Sequence, residues 1–280
     1  MSMPGKTVVA ISSTVMRGAV GLRPITFALE HRGAFVWTVP TVLLPWHPGL
    51  GPSTRTANPD FAGHLADLGT HAAEVDAVLT GYFASAAQVE AAAAFIDTVR
   101  AARPDAVVLV DPVMGDDRGR YVPDAIAEAI KSLLVPRADI VTPNAFELSD
   151  LGGTDDLAAA ARAIGVPQVV VTSAVAEPGR LGTLLLTAGE GVLVTHEAVA
   201  DAPRGTGDLF SAVYLSSVLA NPPAEALADA AAATLAAVLA STDSMLAYAD
   251  AAAAIAAPDR SRLTLGPADL AADVTAASGG

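Results

Sequence analysis

Residues 76–111 read DAVLTGYFASAAQVEAAAAFIDTVRAARPDAVVLVD, a complete strand–helix–strand unit. Asp76–Thr80 and Ala106–Val110 are short apolar runs, the pattern of strands buried on both faces. Between them, Ala87–Ala102 reads as an amphipathic helix. A helical crossover of this length joins strands that run parallel.

The same rhythm continues in both directions. Upstream, Thr7–Ile11 reads as a strand, Val20–His31 as a helix and Ala34–Val39 as a strand. Downstream come a helix at Asp124–Leu134, a strand at Asp139–Thr142, a helix at Asp156–Ile164 and a strand at Gln168–Thr172. Thr183–Thr187 and Gly191–Thr195 form a hairpin pattern around Ala188-Gly189-Glu190. The last third is alanine-rich helix, at Asp208–Leu219, Pro223–Ala240 and Asp243–Ala256. Alternating strands and helices predict an α/β fold with three α/β/α layers around a mostly parallel sheet. No linker divides the chain, so residues 1–270 are expected to be one domain and 271–280 a disordered tail.

Composition removes several classes of function. The chain has 280 residues, of which 52% are hydrophobic and 16% charged, enough for a substantial core. No charge-free run reaches the roughly 18 apolar residues of a membrane span. The N-terminal residues lack a secretory h-region, so the expected location is cytoplasmic, with no membrane partner. Cysteine is absent, which excludes disulfides, thiolate zinc sites and cysteine nucleophiles. The formal net charge is −14, and no basic face for nucleic acid is visible. An anionic substrate would therefore be held by backbone amides, a metal ion and a few local cations. Lys6 and Lys131 are the only lysines, and neither sits in a motif for a Schiff base.

In open α/β sheets, ligands bind beyond the carboxyl ends of the strands. Arg204-Gly205-Thr206-Gly207-Asp208 opens a long apolar helix. Its glycines let backbone amides turn toward an anion, and Asp208 falls in the first turn as a candidate base. A plain glycine turn with a capping aspartate fits the same residues. Thr142-Pro143-Asn144-Ala145-Phe146-Glu147 follows a strand, where Asn144 and Glu147 can close a capping box or Glu147 can face a magnesium-bound water. Asp111 leaves the strand Ala106–Val110 and leads into a glycine-rich charged segment, Pro112–Pro123, read as a lid or a solvated loop. Ser13 and His47 follow the first two strands, and Trp46 supplies a flat face for a heteroaromatic ring. No P-loop and no G-x-G-x-x-G after the first strand is present.

The G-T-G-D turn, D-P-V-M-G-D at 111–116 and T-P-N-x-x-E at 142–147 occur in the order seen in pyridoxal kinases, which this chain resembles from about Val8 to Ala240. The resemblance implies a ribokinase-like fold and ATP-dependent phosphorylation of the 5′-hydroxymethyl of pyridoxal. It assigns Asp208 as base and Gly205, Thr206 and Gly207 as the anion hole. Asp111 and Glu147 would serve the metal and the nucleotide phosphates. Thr142, Thr172, Ser173 and Val199 would line the ATP side, and Ser13, His47 and Tyr82 would hold the pyridoxal ring. The family uses Mg²⁺, often with K⁺, and is usually a homodimer. Related readings are a hydroxymethylpyrimidine or sugar kinase of the same fold, or a vitamer-binding protein without catalysis. The acceptor segments depart from the family pattern at Arg17, Leu22, Trp46 and Pro48. Pro48 stands where a hydroxyl is expected, leaving Trp46 and Arg17 to compensate.

Overall fold

The computed structural model describes residues 5–188, 190–242 and 244–268. The strands are β1 (Thr7–Arg17), β2 (Phe35–Trp46), β3 (Thr56–Ala57), β4 (Ala77–Thr80), β5 (Val107–Val110), β6 (Gly115–Asp116), β7 (Gly119–Arg120), β8 (Ile140–Val141), β9 (Gln168–Glu177), β10 (Arg180–Leu186), β11 (Gly191–Glu197) and β12 (Thr264–Pro267). The helices are α1 (Leu22–His31), α2 (Phe61–Gly69), α3 (Ala86–Ala102), α4 (Asp124–Ala129), α5 (Ala145–Gly152), α6 (Leu157–Ile164), α7 (Thr206–Val218), α8 (Pro223–Ala240) and α9 (Ala252–Ala256).

The main sheet has the order β12-β11-β10-β9-β8-β5-β4-β1-β2-β3. Pairing is parallel from β9 through β2, while β10, β11, β12 and β3 are antiparallel. Successive strand residues point to opposite faces and so build two cores. Val9, Ile11, Val78, Val108, Val110 and Val141 pack with α2 to α6. Val8, Ala10, Ala77, Leu79, Leu109 and Ile140 pack with α1, α7, α8 and α9 on the other side. The three layers and the mostly parallel sheet match the sequence expectation. From β1 the chain steps outward to β2, then returns to β4 and proceeds the other way. The crevice beyond the carboxyl ends of β1 and β4 is thus the topological switch point, where such sheets bind ligands.

Several elements differ from the expectation. β1 continues to Arg17 and β2 to Trp46, pairing as an arm beyond the main sheet after a register shift between Ser12 and Thr14. The polar Ser12-Ser13-Thr14 and the prolines of β2 looked like strand ends, but mutual pairing keeps them extended. α2, β3 and β12 were not anticipated, and Pro112–Pro123 contains the two-stranded β6–β7 ribbon in place of a plain loop. The helix expected over Asp243–Ala256 is confined to α9. Upstream of it, Met245 forms a backbone bridge with Arg204, and the Ala247 amide bonds the Ser241 hydroxyl. Those contacts hold the segment as turns that brace the approach to α7. Gly189, Asp243 and the expected tail 271–280 lie outside the described residues.

α8 has the length and apolar composition to cross a membrane, yet it is mostly buried in the second core. Its buried Asp229 accepts hydrogen bonds from Ser217 and Arg260, as expected for a core helix of a folded domain.

Candidate active site

Gly205 begins α7 with φ at 99°. A Cβ there would overlap the carbonyl oxygen of Ala19, so only glycine lets the turn lie against the β1–α1 loop. The first-turn amides of a helix have no partner within it, and those of Thr206 and Gly207 are the anion-binding candidates. Asp208 Oδ2 accepts the Gly21 amide at 2.8 Å. Burial lifts the Asp208 carboxyl to a pKa of about 6, against the lowering effect of that bond. Gly21 itself, at φ 64°, packs so closely on Ser13 that a side chain would overlap the Ser13 carbonyl. Ser13, Gly21 and Asp208 therefore form one continuous wall at the end of β1.

The next residues stand at the ends of β5 and β8. Asp111 is buried, and Ser211, one helical turn beyond Asp208, donates to its Oδ2 at 3.2 Å. The Thr142 hydroxyl lies 2.9 Å from Ser211 Oγ. Thr142 is buried, so it meets the site through Ser211 and Asp111. Glu147 Oε1 accepts the amides of Met114 at 2.8 Å and Gly115 at 3.3 Å, and Oε2 accepts that of Asn144 at 3.0 Å. With Asn144 it closes the capping box of α5, and its charge is near enough to act on Asp111. Burial pushes Glu147 up to about 7, the three amides oppose this, and Asp116 adds to it. Asp111 is held well above the carboxylate range by burial and then by the charges of Glu147 and Asp208.

This crowding has a cost in stability. The Asp111 pKa is raised on folding, so its carboxyl destabilises the free protein at pH values above its ordinary value of 3.8, increasingly up to the folded value. Asp111→Asn can keep the Ser211 hydrogen bond while deleting the charge. The ligand-free variant is expected to melt higher by about 2–4 °C per kcal/mol gained, and to lose turnover. A lower melting temperature by calorimetry at pH 8 would show that the free protein already compensates this charge.

Among the residues expected to hold the acceptor, the Tyr82 amide donates to Ser12 Oγ at 3.2 Å and its carbonyl accepts from Thr41 at 2.8 Å, fixing the residue just beyond β4. The Arg55 guanidinium lies over its ring, 5.2 Å from the centroid. His47 Nδ1 accepts the Gly49 amide at 3.0 Å, which leaves the proton of the neutral ring on Nε2. Burial and then the nearby charge of Arg204 hold its pKa below the usual histidine value. Trp46 commits its indole N–H to the Gly51 carbonyl at 3.2 Å, and Arg17 is exposed at the end of the arm. The cations set beside acceptor residues are instead Arg55 and Arg204.

Thr172 bonds the Pro143 carbonyl through its amide at 2.9 Å, beside the start of α5. Ser173 is exposed at φ 53°, where the β9–β10 register shifts, a sparsely populated conformation of the kind found at ligand sites. Val199 packs against the second core in the loop leading to α7. Sequence reasoning missed Ser211 and the contact between Gly21 and Asp208. Ser211 was signalled by its spacing of three from Asp208 on one helix face. Tyr121 follows the ribbon and is 55% exposed as a residue, while desolvation of its phenol and then the charges of Glu147, Asp111, Asp116 and Asp208 raise its pKa. Two clefts elsewhere, of about 350 and 420 Å³, lie around Arg32 and Asp229 and around Arg100 and Asp139 and collect none of these residues.

Known proteins resemble the chain across this whole outline. Residues 28–248 match the family model described as phosphomethylpyrimidine kinase. The pyridoxine/pyridoxal/pyridoxamine kinase of Bordetella avium is 39% identical over 252 residues, covering 84% of this chain and 85% of that protein. The pyridoxal kinase of Rubrobacter xylanophilus is 33% identical over 255 residues, covering 85% and 88%. The structure of Leishmania donovani pyridoxal kinase in complex with ADP and pyridoxine matches with a TM-score of 0.83 at 29% identity, covering 94% of this chain and 99% of that one.

Proposed function

The chain belongs to the pyridoxal kinase family, and from that premise we propose that it transfers the γ-phosphoryl group of ATP to the 5′-hydroxymethyl of pyridoxal, giving pyridoxal 5′-phosphate. Pyridoxine and pyridoxamine carry the same hydroxymethyl group and belong to the same reading. The observation that carries it is the position of Asp208. Its carboxylate meets Gly21, which packs on Ser13, on one side, and its helix delivers Ser211 to Asp111 on the other.

The acceptor oxygen attacks phosphorus, the bond to the bridging oxygen of ADP breaks, and the hydroxyl proton passes to Asp208. The amides at Gly205, Thr206 and Gly207 receive the charge on the moving phosphoryl oxygens. Ser13, His47 and Tyr82 orient the pyridine ring, with His47 Nε2–H available as a donor. Thr172, Ser173 and Val199 flank the nucleotide, and Thr142 steadies Asp111 through Ser211.

A Mg²⁺ ion fits the donor set. Asp111 has one oxygen not bonded to Ser211, whereas both Glu147 oxygens are engaged by backbone amides. Among the described residues no three His, Asp or Glu side chains make a metal cage by themselves. That suits magnesium, which takes one or two carboxylates, waters and substrate phosphates. Asp111 would ligate it and Glu147 would hold one of its waters; the ion would neutralise phosphate charge. Use of K⁺, a homodimer and a cytoplasmic location complete the proposal.

Pyridoxal-dependent ADP release, with and without K⁺, tests the reading. Because Asp208 must be ionised to act, kcat/KM is expected to rise about tenfold per pH unit below a pKa of about 6 and to level off above it. A flat profile from pH 5 to 8 would remove Asp208 as the base. The match to the phosphomethylpyrimidine kinase model favours hydroxymethylpyrimidine as a second acceptor. Including it in the substrate panel separates the two.

A further inference from the structure

Arg204 stands immediately before Gly205, where the chain turns into the anion-binding start of α7. A backbone bridge to Met245 fixes its main chain. Its side chain is 56% exposed, and Nη1 reaches Asp116 Oδ2 on the β6–β7 ribbon at 3.5 Å. Asp116 does not depend on it, because the Arg118 amide and guanidinium already bond that carboxylate at 3.0 and 3.3 Å. A long, half-exposed contact of this kind is weakly held. Its charge, after burial, also lowers the His47 pKa. Arg204 thus joins the start of α7 to the ribbon that follows β5, beside the turn where a phosphoryl group would move.

The neighbouring cations are more firmly engaged. Arg120 pairs with both Asp124 and Asp150, and Arg55 lies over Tyr82. The site itself holds Asp111, Glu147 and Asp208 in a chain of net charge −14, so positive charge for the reacting phosphate must come from close by. A guanidinium offers a planar pair of donors that matches two phosphoryl oxygens.

We propose that Arg204 is a further catalytic residue of this site: its guanidinium leaves Asp116 and binds the phosphoryl group as it passes from nucleotide to acceptor. This rests on the kinase reading above. In the metaphosphate-like transition state, charge spreads over the equatorial oxygens, and a supplied arginine acts on the chemical step more than on ground-state binding. Asp116 is then a resting partner that keeps the side chain over the mouth of the site.

The test compares the parent with Arg204→Ala and Arg204→Lys. Arg204→Ala is expected to lower kcat about 100-fold or more while KM for ATP and pyridoxal changes by less than about threefold. Arg204→Lys should recover only part of the loss, and added guanidinium ion should partly rescue the alanine variant. An acceptor-independent readout is the affinity for ADP with and without aluminium fluoride, which mimics the moving phosphoryl group. The parent should bind ADP more tightly when fluoride complexes are present, and Arg204→Ala should lose that gain. Should the alanine variant fold poorly, the same titration on Arg204→Lys decides, with a reduced gain expected. Turnover within about threefold of the parent and an intact aluminium fluoride gain would overturn the assignment. If the parent turned over no B6 vitamer, the kinase reading would fail separately, and the ADP titration would still decide the role of Arg204.

Discussion

Asp208→Asn is expected to lower kcat by about a thousandfold or more and to leave ATP affinity within about threefold. The side chains have nearly the same shape, and an asparagine Oδ1 can still accept the Gly21 amide that Asp208 Oδ2 accepts at 2.8 Å. The β1–α1 loop and the start of α7 should therefore stay together. What disappears is the proton acceptor, since a carboxamide does not take up a proton near neutral pH. The loss should not come from unfolding, because burial already raises the Asp208 pKa and the neutral residue relieves that cost. Removing this charge also removes one of the causes that raise Asp111. Nucleotide binding is accordingly expected to persist or to tighten slightly. Calorimetric titration with ATP and steady-state ADP release make the comparison. Near-normal turnover in the variant would take the base away from Asp208 and leave positioning and charge neutralisation as the whole mechanism.

The parts of this molecule that could be read from sequence are those whose cause is local. The strand–helix–strand unit anticipated at Asp76–Thr80, Ala87–Ala102 and Ala106–Val110 is realised as β4, α3 and β5 within a residue at each end. Period-two and period-3.6 burial operate within a few residues, so each pattern is complete in its own segment. Asp111, Glu147 and Asp208 were legible because each follows a strand or begins a helix in a short motif. The parts that escaped are made by distant pairing. The β1–β2 arm stays extended because its two strands support each other, and β12 exists because Thr264–Pro267 finds β11. Ser211 reaches Asp111 across 100 positions, and Gly21 reaches Asp208 across 187. Spacing on α7 sets Ser211 beside Asp208, but nothing local names the distant partner of either contact. The acceptor side shows the same limit. Trp46 offered a flat face in sequence, and the structure ties its N–H to the Gly51 carbonyl only five residues away, while Arg204 comes close from a segment more than 150 positions on.

Gly205→Ala should be the most damaging small substitution in the site, and Gly207→Ala two positions later supplies its control. At Gly205 the backbone φ is 99°, a region L-residues avoid, and the added methyl would collide with the Ala19 carbonyl group. Strain of this kind costs about 1–3 kcal/mol, and the overlap adds to it because main chain lies on both sides. The relief available is to push the start of α7 away from the β1–α1 loop. That movement separates Asp208 from Gly21, and with it from Ser13 on the acceptor wall. A displacement of about 1 Å between a base and its substrate can cost about 100-fold in rate. Gly205→Ala is therefore expected to lower the melting temperature by several degrees and kcat by about 100-fold or more. At Gly207 a Cβ would meet nothing within 4 Å, and no left-handed φ is required. Gly207→Ala should melt within about 1–2 °C of the parent, helped by the better helix propensity of alanine. Any loss of activity there reports a methyl group in the path of the phosphates and not a shifted helix. Equal melting temperatures for the two variants would show that α7 is not wedged against the β1–α1 loop, and the shared wall of Ser13, Gly21 and Asp208 would have to be abandoned.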